Sequence, residues 1–553
     1  MDELMNITVG NLLEDIAKKY PDRLCIKFPN GNYERTWKEF NEETTRVAKG
    51  FLKMDIQKGD HVAIWANNCP EWVITFFAAA KIGAVLVTVN TSYKIFELEY
   101  LLRQSDTKCL VMIESLKDSN YYHIINELCP TLKESKPGEL NNPMLPFLKD
   151  IVFIGEDRRP GMYNFRDLPV MGEEVPHEEF MRVNRTLDAH EVVNMQYTSG
   201  TTGFPKGVML THFNIVNNGK SIGDRMKFTE EDKLCIPVPL FHCFGMVLAV
   251  MASVTHATAM IPLDYNPVRV MDAIQNEGCT AVHGVPTMFI AMLEHPDFKK
   301  YSFSKLRTGI MAGSPCPVKV MQDVVNVMGA KEITIVFGQT ESSPGCTQTT
   351  TDDSIERRVS TVGRVFPYVE AKIVDPATGA QCPPHVPGEF CTRGYHIMKG
   401  YYKMPEATAQ AIDSDGWLHT GDLATVDEEG YYKITGRIKD MIIRGGENIY
   451  PKEIEEFLYT YPKIKDVQVI GVPSKQYGEE IMAWVVLREG ESATEEEVIE
   501  LVKTHMARHK APKYVKFTDS FPLTASGKIQ KFKMREQAIE ELNLGDDAAI
   551  ETA

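Results

Sequence analysis

The spacing of hydrophobic residues along the first 190 positions changes repeatedly between the period of a helix and that of a strand. In residues 8–20 apolar side chains recur every three or four positions, which predicts an amphipathic helix that ends before Pro21. The run HVAIW at 61–65 predicts a strand, and a helix over 72–82 and a second strand over 84–89 follow it. This succession is typical of a parallel sheet with helices on both faces. The same patterns predict a helix over 39–52, strands over 109–113 and 151–154, and an exposed loop over 131–146.

A second alternation of strands and helices covers residues 233–337. Its last two predicted strands, 307–312 and 332–337, end in the turn-rich segments GSPCP and GQTESSPG. Because ligands of open α/β sheets lie beyond the carboxyl ends of the strands, both segments are placed where a binding site would form. The other elements predicted here are strands over 233–237, 259–261 and 281–284 and a helix over 267–277.

From Gly363 onward hydrophobic positions alternate with a period of two between glycines and prolines, which predicts a small antiparallel or barrel-like unit. A charged joint at 438–440 precedes a region whose pattern predicts two helices and two strands, over 451–459, 495–507, 467–472 and 482–487. The chain is therefore predicted to be an α/β protein. Residues 1–437 would form a large domain of two helix-covered, mostly parallel sheets with a small β-barrel-like subdomain. Residues 441–540 would form a small α+β domain, and residues 541–553 a disordered tail.

The composition is that of an ordinary globular protein, with 43% hydrophobic and 25% charged residues. The net charge of −16 argues against broad electrostatic attraction to nucleic acid or to anionic lipid. The two most apolar stretches, 72–89 and 247–262, are interrupted by Lys81 or by several polar residues, so no membrane-spanning helix is expected. The N-terminus has no targeting pattern, and the eleven cysteines include no Cys-x-x-Cys pair. We therefore expect a cytoplasmic protein with reduced thiols and no zinc-binding spacing.

The stretch YTSGTTGFPKG at 197–207 combines three glycines, four Ser or Thr residues and one lysine. Glycines allow the backbone to approach a ligand closely, and the hydroxyl and N–H groups with Lys206 would offer donors to phosphate oxygens. In a Walker A loop the lysine precedes Ser or Thr, whereas Lys206 precedes Gly207, so this would be a phosphate site of another family. The composition alone also fits a mobile surface loop.

Four later segments place polar side chains or a pair of glycines at predicted turns. Glu341, in VFGQTESSP, offers a carboxylate that suits Mg²⁺, although a solvated turn residue is an alternative. Asp422, in WLHTGD, could accept both hydroxyls of a ribose or form an Asx turn. The two glycines of DMIIRGGENIYPKEIE also fit an ordinary strand–loop–helix connection. Lys528, in PLTASGK, also fits a solubilising surface lysine.

In this order, YTSGTTGFPKG, FGQTE, WLHTGD with GRIKD, GGENIYPKEIE and PLTASGK resemble the motifs of the adenylate-forming enzymes. That superfamily comprises acyl-CoA synthetases, the adenylation domains of peptide synthetases, and firefly luciferase. The resemblance covers about residues 8 to 540. The segments PLFHCFGM and GYYKMPEAT and the overall length are most similar to the medium-chain fatty acyl-CoA synthetase branch, the acyl-CoA synthetase family member 2 group.

The resemblance implies that the chain binds ATP, Mg²⁺ and coenzyme A, and it implies roles for individual residues. Thr340 would contact the α-phosphate, and Glu341 with Thr201 would hold Mg²⁺. Asp422 and Arg437 would bind the ribose, and Lys528 would meet the substrate carboxylate and the α-phosphate. The other phosphate and adenine contacts would come from Thr198, Ser199, Gly200, Thr202, Gly203, Phe204, Pro205, Lys206, Gly313, Ser314, Pro315, Phe337 and Gly338.

The remaining implied positions concern the acid, coenzyme A and a domain movement. Lys439 would be the hinge about which a mobile C-terminal domain turns. Ile443 stands where many relatives carry a basic residue, so the resemblance implies no contact with the nucleotide portion of coenzyme A. The acyl pocket would be lined by Phe241, His242, Met246 and Met311, and the pantetheine entrance by Gly445 and Gly446.

The expected function is that of an AMP-forming acid–thiol ligase. It would convert a carboxylic acid, with a medium-chain fatty acid favoured, to its acyl-CoA thioester through an acyl-adenylate, releasing AMP and pyrophosphate. Three alternatives stay open: transfer to a carrier-protein phosphopantetheine, an aromatic or other acid as substrate, and a non-catalytic nucleotide-binding regulatory protein. The expected partners are small molecules rather than nucleic acid, and a homo-oligomer is left open.

Overall fold

Most of the chain is described by a computed structural model, which covers residues 3–29, 31, 33–198, 205–313, 316–444, 447–506, 508–524 and 528–544. Two large sheets and two smaller ones confirm the predicted α/β fold, and Ser115–Leu116 and Ser119–Asn120 form a separate two-stranded ribbon. Several predicted site residues lie outside the described residues, namely Ser199, Gly200, Thr201, Thr202, Gly203, Phe204, Ser314, Pro315, Gly445 and Gly446.

The first sheet has nine strands within the described ranges, and its six central strands are parallel. Antiparallel strands close both edges. The strands Thr308–Met311 and Glu332–Gly338 are neighbours, so the turns after them lie side by side as the sequence predicted. In spatial order the strands are Arg364–Val365, Gly345–Gln348, Glu332–Gly338, Thr308–Met311, Ala281–Gly284, Lys233–Ile236, Ala259–Pro262, Leu24–Phe28 and Tyr33–Thr36.

The second sheet has eight strands in the part of the chain that is described, and six of them are parallel. Strand Val192–Thr198 leads out of the sheet, and strand Lys206–Thr211 returns antiparallel to it, with Thr198 opposite Lys206. The glycine-rich stretch therefore joins two adjacent strands. In spatial order the strands are Gly400–Tyr401, Lys206–Thr211, Val192–Thr198, Val85–Thr88, His61–Trp65, Thr107–Ile113, Asp150–Ile154 and Tyr163–Asn164.

Helices cover these two sheets, and the helix Pro70–Ile82 is buried from Trp72 to Ile82 because it packs within the core on every side. A π-helical segment, Phe244–Met251, leads into the short helix Ala252–Thr255 and was not predicted. The other helices before the third sheet are Val9–Lys19, Trp37–Lys53, Ile95–Gln104, Tyr121–Leu128, Leu168–Glu173, His177–Asn184, His212–Met226, Pro267–Asn276, Pro286–Leu293, Val318–Asn326 and Ile355–Ser360.

The third sheet is the predicted small antiparallel unit, with the helix Pro405–Ala411 inserted in it. Its strands, in spatial order, are Val369–Val374, Gly388–Gly394, Leu418–Val426 and Tyr432–Arg437.

The C-terminal part, which we call the C-terminal unit, has its own sheet and its own hydrophobic core. Ile454 and Val498 place the helices Pro451–Tyr459 and Glu495–His505 in that core. The sheet contains Glu447–Ile449, Ile442–Arg444, Gly478–Leu487 and Ile464–Ser474, with Tyr514–Phe517 parallel to Gly478–Leu487. The helix Lys531–Glu541 packs on its other face through Met534 and Ala538.

Two predictions about irregular segments need correction. The segment 131–146 is not simply an exposed loop, because its spaced leucines Leu132, Leu140 and Leu145 are buried in the core of the second sheet. The predicted tail begins at 541, yet Leu542 and Leu544 still pack against the C-terminal unit. Pro, Asn and Glu content had suggested exposure, whereas a few well-spaced apolar residues decide the burial.

Among the described residues, no helix combines the length and the apolar character that crossing a bilayer requires.

The C-terminal unit is docked on the rest of the chain through polar contacts. The Nζ of Lys452 donates a hydrogen bond to the carbonyl oxygen of Ile434, at 2.9 Å, in the third sheet. The Glu294 carboxylate, just after the helix Pro286–Leu293, lies 2.5 Å from the Nζ of Lys465 and 3.5 Å from a guanidinium nitrogen of Arg488. These three side chains are partly exposed. Because exposed ion pairs contribute little free energy, they stabilise the docked position of the C-terminal unit only weakly.

Replacing Lys465 by Glu is expected to weaken this docking, because Glu294 would then face a second negative charge. An exposed ion pair contributes about 0.2–1 kcal/mol, so the docked population should fall by a few-fold. Glu294→Lys should act in the same direction, and the double variant with exchanged charges should restore docking. The measurement is the distance between two spin labels, one in each part of the chain, by pulsed electron spin resonance.

The matched control is Lys503→Glu, because Lys503 pairs with Glu500 of its own helix and should leave the distance unchanged. A double variant that docks no better than the single variants would contradict the importance of this ion pair.

Candidate active site

Lys206 and Glu341 lie on two sides of the same tyrosine, Tyr401. The Nζ of Lys206 is 4.7 Å from the centroid of the Tyr401 ring, a cation–π contact. The Tyr401 hydroxyl donates a hydrogen bond to Oε1 of Glu341 at 2.8 Å. Burial and the charge of Glu341 raise the pKa of Tyr401, so the hydroxyl keeps the proton that it donates. The predicted phosphate lysine and the predicted metal ligand are thus brought together.

Thr340 and Glu341 occupy the 3₁₀ turn Thr340–Ser342, directly after the first-sheet strand Glu332–Gly338. The Thr340 side chain is buried, and its hydroxyl lies 3.6 Å from the Sγ of Cys243. The carbonyl oxygen of Glu341 accepts a hydrogen bond from the N–H of Met398 at 2.9 Å. The turn is therefore held between the first sheet and the segment that leads to Tyr401.

Asp422 and Arg437 form an ion pair across two strands of the third sheet. They stand opposite each other in the ladder, with 2.8 Å between the Nε of Arg437 and Oδ1 of Asp422. The Asp422 side chain is buried, whereas half of the Arg437 side chain is exposed. Burial raises the pKa of Asp422, and the guanidinium of Arg437 offsets part of that effect. The pair presents a carboxylate that can accept hydroxyl donors beside a cation.

A bulge in the strand Leu418–Val426 presents Asp422. The ladder pairs Cys391 with His419 and Glu389 with Leu423, so residues 420–422 stand opposite one residue of the other strand. Gly421 has a φ of +69°, which favours glycine at this point of the bulge. Its N–H donates to Oε1 of Glu389 at 3.0 Å, which fixes the bulge from the neighbouring strand.

Lys528 reaches the N-terminal part of the chain from the C-terminal unit. Its N–H donates to Oγ1 of Thr524 at 3.0 Å, and its carbonyl oxygen accepts from the N–H of Thr524 at 2.7 Å. Its side chain lines a small cavity together with Val238, Pro239, His242, Phe244, Val285 and Gly313. Burial lowers the pKa of Lys528, while the charges of Asp422 and Glu341 act in the opposite direction. The Lys528 side chain is thus placed beside residues that follow strands of the first sheet.

The predicted adenine residues that are described stand at the ends of neighbouring strands. Gly313 follows Thr308–Met311 with a φ of +90°, and a Cβ built on it would lie 3.1 Å from Cγ1 of Val285. Phe337 is near the end of the next strand, with its ring 5.2 Å from the ring of Phe390 in an edge-to-face contact. Gly338 ends that strand.

The four predicted acyl-pocket residues have different surroundings among the described residues. His242 lines the cavity with Lys528, whereas Met246 and Met311 are fully buried in two different hydrophobic clusters. Phe241 belongs to the same cluster as Met246. Burial, with a contribution from the charge of Lys528, lowers the pKa of His242 to about 3, and its Nδ1 accepts a hydrogen bond from the N–H of Phe244. A neutral imidazole therefore faces the cavity.

Sequence reasoning missed three residues of the site. Tyr401 lies in GYYKMPEAT and Cys243 in PLFHCFGM, two segments that indicated the branch of the family but in which these two residues were given no role. Val285 follows the predicted strand 281–284, so its place at a strand end was the available signal. Lys439, the predicted hinge, lies in the 3₁₀ turn Ile438–Asp440 between the third sheet and the C-terminal unit.

Comparison with known proteins identifies the family of this chain. The chain matches the AMP-binding enzyme family over residues 13–402 and the AMP-binding enzyme C-terminal domain over residues 453–528. It is 54% identical to YngI of Bacillus subtilis (strain 168), named as an acyl-CoA synthetase by inference, over 98% of this chain and 99% of YngI. It is 40% identical to the mitochondrial medium-chain acyl-CoA ligase ACSF2 of Bos taurus, over 98% of this chain and 89% of that protein.

Among solved structures, the ATP-bound MatB from Rhodopseudomonas palustris has a TM-score of 0.82 and 29% identity. That match covers 97% of this chain and 99% of MatB. On the family match over most of the chain and the two relatives, this chain belongs to the AMP-binding, adenylate-forming enzyme family.

Proposed function

We propose that this protein is an AMP-forming acyl-CoA synthetase, with a medium-chain fatty acid as the favoured substrate. The observation that carries the proposal is the position of Lys528, whose side chain lines one cavity with His242 and Gly313. A Cβ built on Gly313 would lie 3.9 Å from the Cε of Lys528. The names of the relatives YngI and ACSF2 support the acyl-CoA product, and the second supports the medium chain.

The chemistry requires two anions to meet. An oxygen of the acid's carboxylate attacks the α-phosphorus of ATP, the bond to the β-phosphate breaks, and pyrophosphate leaves. The sulfur of coenzyme A then attacks the acyl carbon, AMP leaves, and the thiol proton passes to solvent. The first barrier is chiefly electrostatic and orientational, so fixed positive groups are what the protein must supply.

In this proposal each charged residue of the site has one task. Lys528 lies between the acid and the α-phosphate, and Lys206 binds the departing pyrophosphate. The Asp422 carboxylate accepts the ribose hydroxyls, while Arg437 holds that carboxylate in place. No cysteine of the chain is required as a nucleophile, because coenzyme A brings the sulfur.

Glu341 fits the role of the Mg²⁺ ligand. Tyr401 engages its Oε1, and among the described residues no hydrogen bond to Oε2 is recorded, so a carboxylate oxygen is available to a hard cation. The ion, when bound, would neutralise phosphate charge beside Lys206. Thr201, the second expected ligand, lies outside the described residues.

We further propose that residues 1–437 act as the adenylation domain and 441–540 as a mobile C-terminal domain. An acyl-adenylate is hydrolysable, so the site must be closed for the first step and open to a thiol for the second. Lys439, in the connecting turn at 438–440, would be the pivot, and Gly445 and Gly446 would line the pantetheine entrance. A cytoplasmic location stays a prediction, since the ACSF2 relatives are named as mitochondrial.

The function itself is tested by measuring AMP and thioester over a series of acids from acetate to stearate, with benzoate added. With ATP and coenzyme A present, we expect AMP release to require the acid and to be greatest for medium chains. ATP binding without AMP release for any acid would contradict a synthetase. AMP formation without thioester from free coenzyme A would favour a carrier-protein acceptor.

Lys528→Ala is expected to lose adenylate formation but to retain thioester formation from supplied acyl-adenylate. Removing one donor to developing charge costs about 2.7–4 kcal/mol, which is roughly a hundred- to a thousandfold in rate. Acid-dependent exchange of pyrophosphate into ATP measures the first step, and thioester yield measures the second.

The control for Lys528 is Lys533→Ala, because Lys533 is exposed on the following helix and should change neither step. An equal loss of both steps in Lys528→Ala would show that the lysine is not specific to adenylation.

Tyr401→Phe is expected to weaken Mg²⁺ binding while keeping the ring beneath Lys206. Loss of a partner that orients a metal ligand typically lowers metal affinity about 10–100-fold. The Mg²⁺ concentration that gives half-maximal pyrophosphate exchange should rise, and excess Mg²⁺ should restore most of the rate.

The neighbouring Tyr402→Phe is the matched control, because that hydroxyl donates to Asp106 rather than to Glu341. An unchanged Mg²⁺ requirement in Tyr401→Phe would argue against Glu341 as the ligand.

A further inference from the structure

The third sheet carries a group of side chains of the types that bind metal ions, and none of them belongs to the site described above. Glu389 and Cys391 are two positions apart on the strand Gly388–Gly394, so their side chains share one face of the sheet. His419 lies on the neighbouring strand, directly opposite Cys391 in the ladder. Strand pairing thus brings together three ligand types that the sequence spacing did not reveal.

The three ligand atoms are close to one another. The Nδ1 of His419 is 2.9 Å from Oε2 of Glu389 and 3.4 Å from the Sγ of Cys391. All three atoms lie within 4.8 Å of each other. Ligands of a tetrahedral zinc ion, at about 2.0–2.3 Å from the metal, are roughly 3.3–3.8 Å apart. The two measured separations are within about half an ångström of this range, so small side-chain shifts would bring His419 and its two neighbours to ligand spacing.

Two of the three ligands also have a partner outside the cluster that orients them. The Nε2 of His419 faces Oδ2 of Asp413 at 3.4 Å, the arrangement in which a carboxylate orients a metal-binding imidazole. Asp413 is itself fixed, because its Oδ1 accepts the N–H groups of Asp415 and Trp417, both at 2.9 Å. The N–H of Gly421 occupies Oε1 of Glu389, so Oε2 is the oxygen directed at His419.

The surroundings also suit a cation. Glu389 and Asp413 place two carboxylates around His419, and about a third of the His419 side chain is exposed, which leaves a path from solvent. Cys391 is fully buried and would bind as a thiolate, releasing its proton to solvent. A mixed sulfur, nitrogen and oxygen set favours zinc and related transition metals over Mg²⁺ or Ca²⁺.

We propose that Glu389, Cys391 and His419 form a binding site for a transition-metal ion of the zinc class, with water as the fourth ligand. The site is separate from the Mg²⁺ position at Glu341. It adjoins the bulge at 420–422, because the Glu389 that would bind the ion also holds Gly421. The competing interpretation is a histidine that is only hydrogen-bonded between two carboxylates.

Co²⁺ titration of the full-length, metal-free protein distinguishes the two interpretations. We expect one equivalent of Co²⁺ to give tetrahedral visible bands with a thiolate-to-cobalt charge-transfer band, which Zn²⁺ then removes. Cys391→Ser should abolish the charge-transfer band. Asp413→Asn, which leaves all three ligands in place, should keep the band but weaken Co²⁺ binding about 10–100-fold.

The matched control is Cys382→Ser, because Cys382 is a half-buried thiol next to the same sheet that takes no part in the cluster. Its titration should equal that of the unaltered protein. The proposal is overturned if the unaltered protein gives no charge-transfer band, or if Cys391→Ser keeps it. Circular dichroism confirms that each variant is folded, and the Asp413 variant tests the site without altering the buried thiol.

Discussion

The amine of Lys528 lies in a cavity whose other walls come from the N-terminal sheets, and the function of the site depends on this placement. Burial lowers the pKa of the Lys528 amine, and the negative charges of Asp422 and Glu341 offset only part of that effect. The contacts that hold the C-terminal unit in this position, such as Glu294 with Lys465, are partly exposed and individually weak. The proposed movement of the C-terminal unit would therefore have to break only weak docking interactions.

Tyr401 fixes two opposite charges relative to each other at the junction of the two large sheets. Its short strand lies at the edge of the second sheet beside Lys206, while Glu341 follows a strand of the first sheet. One aromatic side chain contacts the cation with its ring and the anion with its hydroxyl. The two charges are thereby fixed relative to each other without a direct ion pair, which would leave each less available to a ligand.

The fold was largely predictable because its central strands are short apolar runs bounded by turns. The strands at 61–65 and 281–284 appear with the predicted limits. Phe244–Met251 was missed, since a continuous apolar run has no period that would distinguish a π-helical segment from other buried structure. Within the site, Asp422 was singled out by its turn, and the family resemblance, not the turn, implied its role. Tyr401 was not singled out, because its role arises only when strands from distant parts of the chain meet.

The same limit explains why the sequence did not predict the proposed metal site of the third sheet. Cys391 and His419 are far apart in sequence and adjacent only through strand register, so no spacing rule finds them. Strand register also connects the cluster with the bulge that carries Asp422, because the two carboxylate oxygens of Glu389 face different partners. Oε1 holds the N–H of Gly421, and Oε2 faces His419. A change at one oxygen of a single carboxylate must therefore be felt at the other, and so at the turn that presents Asp422.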